Sequence, residues 1–398
     1  MKILRGREPR IRAILAADFH LGAAPRFPGT GWPIPAVVRR RAFEQVVARA
    51  IETGAGLILL AGDVFDSPAP LLDDILCAAQ ALKRATGAGI TVAGMSGDAD
   101  AATEGWASPL DLLAELGLVV NLDRNRAEAP LRLPTLGFTV AISSLPRDPG
   151  ADAWSNPLTR LDLRTGADFN FLATHHAVEG MDGAGTSGPV INVDSVRALL
   201  GVQALVSGHA HATAQGRVGD TPVVVPGSPV GAGDEPGGFV EIEFSARGIE
   251  SLERVEGIAA PVVEIDLTAG DLEPEGAMER LKTGVESRLT PETALRIRLN
   301  GRASHEKLLR LGLPGLRQWA SARAGGVEID LSGLHIVGPD ETSAPPPISL
   351  FEQLRRAATV TEGVGDEGSE ADRAEALDLA LAELRRDFGA AGNPKVRR

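Results

Sequence analysis

Short apolar runs that end in clusters of Asp, His and Gly are the feature of this sequence that most constrains its fold. From residue 11 to about 245 these runs alternate with longer helical patterns, which is typical of a layered α/β domain. The strand-like runs are IRAILAAD, GLILLAGD, ITVAGMSGD, FTVAISSL, FNFLATHH, ALVSGHAH and TPVVVPGS. Helical spacing of apolar residues predicts helices over residues 39–52 and 71–84. Because α/β domains commonly carry their sites at strand ends, we expect a functional site there.

A second region of different character follows the first. At 398 residues the chain is long enough for two domains and a tail. Residues 246–340 contain the runs VVEIDL, ALRIRL and VEIDLSGL, with helical patterns over residues 276–289 and 305–322 between them. This pattern predicts a smaller α+β domain that caps the domain of residues 1–245, and that shapes access to it or binds a partner.

Residues 341–398 predict a linker and a helical tail. Three consecutive prolines, Pro345 to Pro347, indicate a stiff linker. Amphipathic helical patterns follow at residues 348–358 and 370–388. Two such helices outside the main core either fold back on it or bind another protein.

Composition limits the partners and the setting of the chain. A formal net charge of −13 argues against DNA binding by phosphate neutralisation alone, so any DNA contact has to be local or assisted by metals and a partner. The basic run Arg39-Arg40-Arg41 is read as a solvated helix face. The single cysteine, Cys77, excludes an internal disulfide and a cysteine-ligated zinc site, which favours a cytoplasmic setting. No apolar run approaches the roughly 20 residues of a membrane helix, so we expect no membrane partner.

Histidines are clustered in a way that packing does not readily explain. Five of the seven fall in three clusters: Asp18-Phe19-His20, His175-His176 and His209-Ala210-His211. In an extended strand end, Asp18 and His20 point to one face, and so do His209 and His211. Each of these pairs is therefore expected to hold a cation from one side.

Carboxylates between these clusters complete a candidate metal site. Asp63, in Gly62-Asp63-Val64-Phe65-Asp66, follows an apolar run, which places it at a strand end where a carboxylate can bridge two ions. Asp98 and Asp100 follow another such run. A mixed set of imidazole and carboxylate ligands suits Mn, Fe or Zn, and a bridging carboxylate indicates two ions about 4 Å apart. Such a pair of ions binds a phosphate ester and activates water for attack on phosphorus.

The chain carries D-x-H, G-D-x-x-D, G-D-A-D, H and G-H-x-H in this order, which resembles the order D-x-H, G-D-x-x-D, G-N-H-D, H and G-H-x-H of the calcineurin-like metallophosphoesterases. More narrowly, the chain is similar to the SbcD/YhaO branch of DNA-repair nuclease subunits. The supporting segments are ADFHLG at 17–22, RAFEQVVARAIETGAGLILLAGDVFD at 41–66, and VSGHAHATAQ with VVVPGSPV up to residue 230. The resemblance covers about residues 1–245 and implies a layered α-β-β-α metallophosphoesterase domain.

The resemblance also implies ligands for two divalent metal ions, with Mn²⁺ as the first expectation and Fe or Zn as alternatives. One ion would be bound by Asp18, His20, Asp63 and His211, and the other by Asp63, Asp98, His175 and His209. His176 is an alternative to His175, because the sequence leaves open which imidazole faces the ions.

One position departs from the family pattern. Where the family has Gly-Asn-His-Asp, this chain has Gly97-Asp98-Ala99-Asp100, so Ala99 occupies the position of the catalytic histidine. Asp98 can serve as an oxygen ligand, although its charge weakens attraction for an anionic phosphate. A general acid contributes roughly 10²- to 10⁴-fold to the rate. We therefore predict slowed, substrate-restricted or lost catalysis, with His176 or a metal-bound water as the candidate catalytic substitute.

Three functional hypotheses follow from these residues and this resemblance. The first is a metal-dependent DNA exonuclease subunit in double-strand-break repair, which works with an SbcC-like coiled-coil ATPase bound through the C-terminal helices. The second is a metal-binding scaffold subunit of the same complex that does not cut DNA. The third is a phosphodiesterase for small molecules, which has no evident need for a second domain and a helical tail. Whether the chain forms a homodimer stays open.

Overall fold

The described part of the chain forms two compact units. The computed structural model describes residues 9–22, 31–102, 106–124, 130–133, 138–145, 156–161, 163–181, 190–268 and 274–337. The first unit runs to Val262 and adds Thr290–Ala294 and Ala324–Gly326, and the second contains the remaining described residues. The helices predicted within residues 341–398 lie outside the described residues.

The first unit alternates strands and helices, as the sequence predicts. Its strands are β1 (Ile11–Ala16), β2 (Leu57–Ala61), β3 (Thr91–Met95), β4 (Val120–Asn121), β5 (Leu131–Arg132), β6 (Thr139–Leu145), β7 (Phe169–Thr174), β8 (Ala177–Val178), β9 (Val190–Ile191), β10 (Ala204–Ser207), β11 (Ala214–Val218), β12 (Thr221–Val225), β13 (Val230–Ala232), β14 (Gly238–Ser245), β15 (Gly248–Glu256) and β16 (Ile258–Ala260). Its helices are α1 (Ala36–Thr53), α2 (Leu72–Gly87), α3 (Pro109–Glu115) and α4 (Val193–Arg197), with a 3₁₀ turn at Pro157–Arg160. Each strand-like run predicted before residue 245 contains a described strand, and the two predicted helices correspond to α1 and α2.

Two six-stranded sheets build this unit. Their strand orders are β15-β14-β1-β2-β3-β4 and β11-β12-β10-β7-β6-β5. In the first sheet β1, β2, β3 and β4 are parallel, and in the second β6, β7, β10 and β12 are parallel. Parallel strands end at the same edge of a sheet. The segments that follow β1, β2 and β3 therefore share one edge, and those that follow β7 and β10 share another.

Apolar residues on both faces of the strands produce the layers. Leu15 of β1 and Phe171 of β7 lie in the core between the two sheets. Their neighbours face outward, since Ile14 packs with Phe43 of α1 and Leu172 packs on the side of α4. A strand that is buried on both faces reads as a continuous apolar run, as IRAILA does. The resulting α-β-β-α order of layers confirms the predicted fold class.

The second unit combines one sheet with three helices. Its elements, three of which begin at a residue assigned to the first unit, are β17 (Val262–Thr268), α5 (Pro274–Val285), a 3₁₀ turn at Glu286–Arg288, β18 (Ala294–Ser304), α6 (His305–Arg310), α7 (Leu313–Ser321), β19 (Gly326–Asp330) and β20 (Leu334–Val337). β18 lies between β17 and β19, and it also pairs in parallel with β20. The helix predicted over residues 305–322 is instead two helices, because Gly312 adopts a left-handed φ of 61° between them. No described helix of either unit is long and apolar enough to cross a membrane.

The first unit extends past residue 245, where the sequence places a domain boundary. β14 and β15 form a hairpin in which Gly238 lies opposite Glu256 and Ser245 opposite Gly248. β15 therefore belongs to the first sheet. The assignment of separate functions to residues 1–245 and 246–340 remains a prediction.

The aromatic cluster between the sheets provides a test of the layered core. Phe244 has ring centroids 4.7 Å from Phe169 and 5.4 Å from Phe171. Phe244→Ala should lower the free energy of unfolding by about 3–5 kcal/mol, because it opens a cavity in this core. Leu200→Ala is the control, since Leu200 is 83% exposed and its loss should cost no more than about 0.5 kcal/mol. Urea denaturation measures both variants, and equal losses would contradict the account.

Candidate metal centre

The polar clusters that follow the parallel strands converge in the first unit. Among the residues that the structure describes, three groups of side chains have potential ligand atoms within 4.8 Å of one another. The groups are Asp18 with His20 and His211, Asp98 with His175 and His209, and Asp18 with Asp63 and His175. Each residue predicted as a metal ligand is a member of at least one group. His176 belongs to none of them, so of this pair only His175 lies in a group of potential ligands.

Asp63 lies between imidazoles of the first two groups. Its Oδ2 is 3.5 Å from Nε2 of His20 and 3.2 Å from Nε2 of His175. Its Oδ1 accepts a hydrogen bond of 2.8 Å from the backbone N–H of Ala99. One oxygen is thus held by the main chain while the other faces a histidine from each group. This arrangement fits a carboxylate that bridges two ions through one oxygen.

Hydrogen bonds on the far ring nitrogens orient two of the imidazoles. Nδ1 of His20 is 3.0 Å from Oδ1 of Asp66, and Nδ1 of His175 is 2.7 Å from the carbonyl oxygen of Ala61. In both rings the contact made by Nδ1 leaves Nε2 directed at Asp63. Partners of this kind fix the tautomer and the orientation of metal-binding histidines. The sequence analysis assigns no role to Asp66, although its position as the second Asp of the G-D-x-x-D motif could have indicated one.

The backbone is strained at four of the predicted ligands. Among the described residues, the non-glycine residues with positive φ are Asp18 (56°), His20 (49°), Asp63 (50°) and His209 (79°). A residue in this region costs about 1–3 kcal/mol, and it persists only where the surrounding structure holds it. Such strain is typical of functional sites. Its coincidence with the His and Asp groups marks the same region of the fold by an independent criterion.

This backbone differs from the extended strand ends expected from the sequence. On an extended strand end His209 and His211 would share one face, yet Nδ1 of His209 lies 3.2 Å from Asp98 and Nε2 of His211 lies 3.5 Å from Asp18. The two histidines belong to different groups. The prediction that this pair holds one cation was wrong, because it assumed an extended strand end, whereas β10 ends at Ser207 and His209 has a left-handed φ. Asp18 and His20 do share a group.

Glycines of the motifs let the site loops approach one another. A Cβ atom at Gly62 or Gly208 would overlap the ring of His175. At Gly97 it would overlap the carboxylate of Asp63. A side chain at any of these positions would displace a predicted ligand, so the glycines define a close-fitting cradle around the imidazoles and carboxylates.

Asp100 connects the loop after β3 to the loop after β2. Its Oδ1 accepts a hydrogen bond of 2.8 Å from the N–H of Gly97, and its Oδ2 accepts one of 3.1 Å from the N–H of Phe65. Both oxygens of Asp100 are thus used by the main chain. The sequence places Asp100 near the site, and in the structure it holds residues 97–99, whose backbone lies against Asp63.

Attraction between the buried acids and imidazoles shifts their pKa values. Burial alone would lower the pKa of His175, but Asp63 and Asp18 raise it to about 10. Burial alone would raise the pKa of Asp63, but His175 and His20 hold it below its usual range. Burial raises the pKa of Asp18 to about 6 against the attraction of His175, and the charge of Asp63 adds to the rise. A buried cluster of this composition is stabilised by added positive charge.

The donor set fits divalent transition metals. Imidazole nitrogens and carboxylate oxygens are the ligands that suit Mn, Fe and Zn. The grouping of side chains is compatible with one ion at Asp18, His20, Asp63 and His211 and another at Asp63, Asp98, His175 and His209. These ligand assignments and the identity of the metal remain predictions.

Comparisons with known proteins give similarities of fold only. No protein-family model and no curated protein matches the chain. Among solved structures, TT1561 of Thermus thermophilus is similar at 14% identity, over 62% of this chain and 99% of that one, with a TM-score of 0.38. The calcineurin-like phosphoesterase YfkN from Bacillus subtilis is similar at 14% identity, over 63% and 91%, with a TM-score of 0.36. An archaeal phosphodiesterase is similar at 10% identity, over 62% and 99%, with a TM-score of 0.31. At these values the similarities carry no conclusion about the chemistry of the site.

Divalent cations should stabilise the folded protein. Mn²⁺ at about 100 times its dissociation constant is expected to add about 2.7 kcal/mol to the free energy of unfolding, because it binds the folded state alone. Asp63→Asn should remove most of this gain in stability, since it removes the negative charge that lies between His20 of one group and His175 of another. Calorimetric melting with Mn²⁺ and with a chelator measures the effect. A melting temperature that does not respond to saturating Mn²⁺ would contradict the site.

The close fit of the glycines around His175 can be tested with two glycines that both have positive φ. Gly62 and Gly54 have φ values of 97° and 65°, but only at Gly62 would a Cβ meet another residue. Gly54→Ala should cost about 1–2 kcal/mol from backbone strain alone. Gly62→Ala should cost about 1–3 kcal/mol more, because the methyl group collides with His175. Urea denaturation gives the free energy of unfolding of both variants. A loss of stability in Gly62→Ala that is no larger than the loss in Gly54→Ala would refute the close fit.

Proposed function

We propose that the chain is a metal-dependent phosphodiesterase that acts on DNA, as the nuclease subunit of a complex with a coiled-coil ATPase. The observation that carries the proposal is Asp63 Oδ2, which faces His20 at 3.5 Å and His175 at 3.2 Å from two separate ligand groups. Two bound divalent ions would supply Lewis acidity and an activated water for attack on a phosphodiester. The ordered motifs, which resemble those of calcineurin-like enzymes and of the SbcD/YhaO branch, support this class.

The protein's own residues have the task of holding ligands in place. The backbone N–H of His209 donates to both carboxylate oxygens of Asp18, at 3.2 and 3.1 Å. The N–H of Ala99 fixes one oxygen of Asp63 in the same way. Main-chain donors therefore orient the two buried carboxylates before any substrate binds. Preorganisation of this kind lowers the cost of assembling charged ligands around a reacting group.

Ala99 defines the expected limit on activity. Its amide serves Asp63, but its methyl group cannot donate a proton to a leaving oxygen. The rate should fall by roughly 10²- to 10⁴-fold relative to a site with a general acid. His176 is the candidate replacement. Its main chain is anchored by Ser207, whose Oγ accepts from the His176 N–H at 3.3 Å and donates to the His176 carbonyl at 2.6 Å.

The negative net charge of the chain favours a proposal in which a partner contributes to DNA binding. A net charge of −13 leaves little affinity for a polyanion, so the ATPase is expected to supply it. In this proposal the amphipathic helices predicted at residues 348–358 and 370–388 bind the ATPase, by resemblance to the SbcC-binding subunits. A cytoplasmic setting and Mn²⁺ as the physiological ion are part of the same proposal.

Ala99 also favours a second function, a scaffold subunit of the same complex that binds metal and partner without cutting. The set of seven grouped ligands stands against it, since a scaffold has no evident need for a strained and preorganised metal site. The two functions differ in turnover alone. A hydrolysis assay separates them.

Restoring the histidine is the sharpest test of the proposed activity. With Mn²⁺ the wild type should cleave single- or double-stranded DNA slowly, and Ala99→His should cleave it roughly 10²- to 10⁴-fold faster, because a general acid is restored. Asp63→Asn should be inactive. Asp194→Asn is the matched control, since its side chain is 83% exposed on α4 and its loss should leave the rate unchanged.

Each contrary outcome has a definite meaning. If neither the wild type nor Ala99→His cleaves DNA, with or without the ATPase, the nuclease proposal fails and the scaffold takes its place. Turnover of a chromogenic phosphodiester without DNA cleavage would favour a small-molecule phosphodiesterase.

A further inference from the structure

Arg39 is a buried cation that the proposed function leaves unused. It lies in the first turn of α1 and is 0% exposed. The sequence predicts a solvated face for Arg39-Arg40-Arg41, and this is wrong for Arg39. Arginine is almost never fully buried unless other groups compensate its charge and its donors. Its Nη1 donates a hydrogen bond of 2.9 Å to the carbonyl oxygen of His20.

The His20 carbonyl lies where two site loops run side by side. Backbone amides of Asp18, His20 and Leu21 donate to the carbonyl oxygens of Gly62, Asp63 and Val64, at 3.1, 3.0 and 2.9 Å. The N–H of Asp66 returns a bond of 3.0 Å to Leu21. Arg39 reaches His20 from α1, outside this pairing. A bond from a charged donor in a buried position is among the strong hydrogen bonds of a protein.

The bond acts on a residue that is under strain. His20 has a φ of 49°, a conformation that persists only where its surroundings hold it. Arg39 fixes the carbonyl of that residue, and its peptide orientation with it. The direction of the His20 side chain follows from the same backbone angles.

Arg39 also bears on the ring of His20 through charge. Asp66 and Asp74 provide the carboxylates that attract the buried guanidinium. Oδ1 of Asp66 is in turn 3.0 Å from Nδ1 of His20. Arg39 therefore acts on His20 in two ways. It donates a hydrogen bond to the His20 carbonyl, and it attracts the Asp66 carboxylate that orients the His20 ring.

We propose that Arg39 is a positioning residue for the group of Asp18, His20 and His211, and that it holds His20 with Nε2 facing Asp63. The inference rests on the proposed function, because it assumes that this group binds a divalent ion. Loss of Arg39 should weaken that ion's site. It should spare the group of Asp98, His175 and His209, whose rings are oriented by the Ala61 carbonyl and by Asp98.

Three variants separate positioning from general stability. Arg39→Met removes the donor and the charge, and Arg39→Lys keeps a charge with a single ammonium group. Arg40→Met is the matched control on the same helix, because Arg40 donates at 2.7 Å to Asp74, whose side chain is 0% exposed. That control also removes a guanidinium that is hydrogen-bonded to a buried carboxylate, but Arg40 makes no described hydrogen bond with His20.

Mn²⁺ titration of the full chain, by calorimetry and by the electron paramagnetic resonance signal of free Mn²⁺, gives the decisive readout. The wild type should bind two ions. Arg39→Met should bind one ion as the wild type does and the other about 10- to 100-fold more weakly, the usual effect of losing an outer partner of a metal ligand. Arg39→Lys should fall between them, and it carries the test if Arg39→Met does not fold. Arg40→Met should melt at a lower temperature and still bind two ions with unchanged affinity.

Two results would overturn the inference. One is wild-type affinity for both ions in Arg39→Met and Arg39→Lys. The other is an equal loss in Arg40→Met, which would reduce the effect to general destabilisation. A wild type that binds no Mn²⁺ would instead overturn the proposed function, and this inference with it.

Discussion

Main-chain pairing between the segment after β1 and the segment after β2 is the constraint on which the candidate site depends. Amides of residues 18–21 donate to carbonyls of residues 62–64, and Asp18, His20 and Asp63 keep positive φ within that pairing. Three strained residues together cost several times the roughly 1–2 kcal/mol of a single left-handed residue. They persist because the two segments hold each other. The side chains are therefore presented from a backbone that cannot relax one residue at a time.

Burial adds an electrostatic constraint to this conformational one. Asp18, Asp63 and Asp100 are almost fully removed from solvent within a small volume. Buried carboxylates need hydrogen bonds or positive charge to stay ionised. Main-chain donors and the surrounding imidazoles meet part of this need. This concentration of buried carboxylates and imidazoles also favours the binding of divalent cations, since the potential ligands are already close together and oriented.

Much of the layered fold could be predicted from the sequence because its physical cause is local. A strand such as IRAILA is apolar at successive positions, and this reflects burial on both faces. The two short helices of residues 305–321 were missed, because helical spacing continues across Gly312 while the chain turns there. The clustered histidines and the family resemblance predicted which residues come together at the candidate metal site. Spacing alone misplaced His209 and His211, since it assumes an extended chain.

Features that arise from contacts between distant segments could not be read from the sequence. Gly97 cannot carry a side chain, because Asp63, which is distant in the sequence, occupies the space where its Cβ atom would lie. Arg39 looks like one more basic residue on a helix until the loop of His20 is seen against it. Local patterns record which residues are apolar or charged. They do not record which backbone atoms will meet.

Anomalous diffraction from crystals grown with Mn²⁺ is the most direct test of the central claim, that these loops hold two divalent ions. The account predicts two peaks about 3.5–4 Å apart, with Asp63 between them and His20 and His175 on opposite sides. A single peak, or peaks remote from these residues, would contradict it.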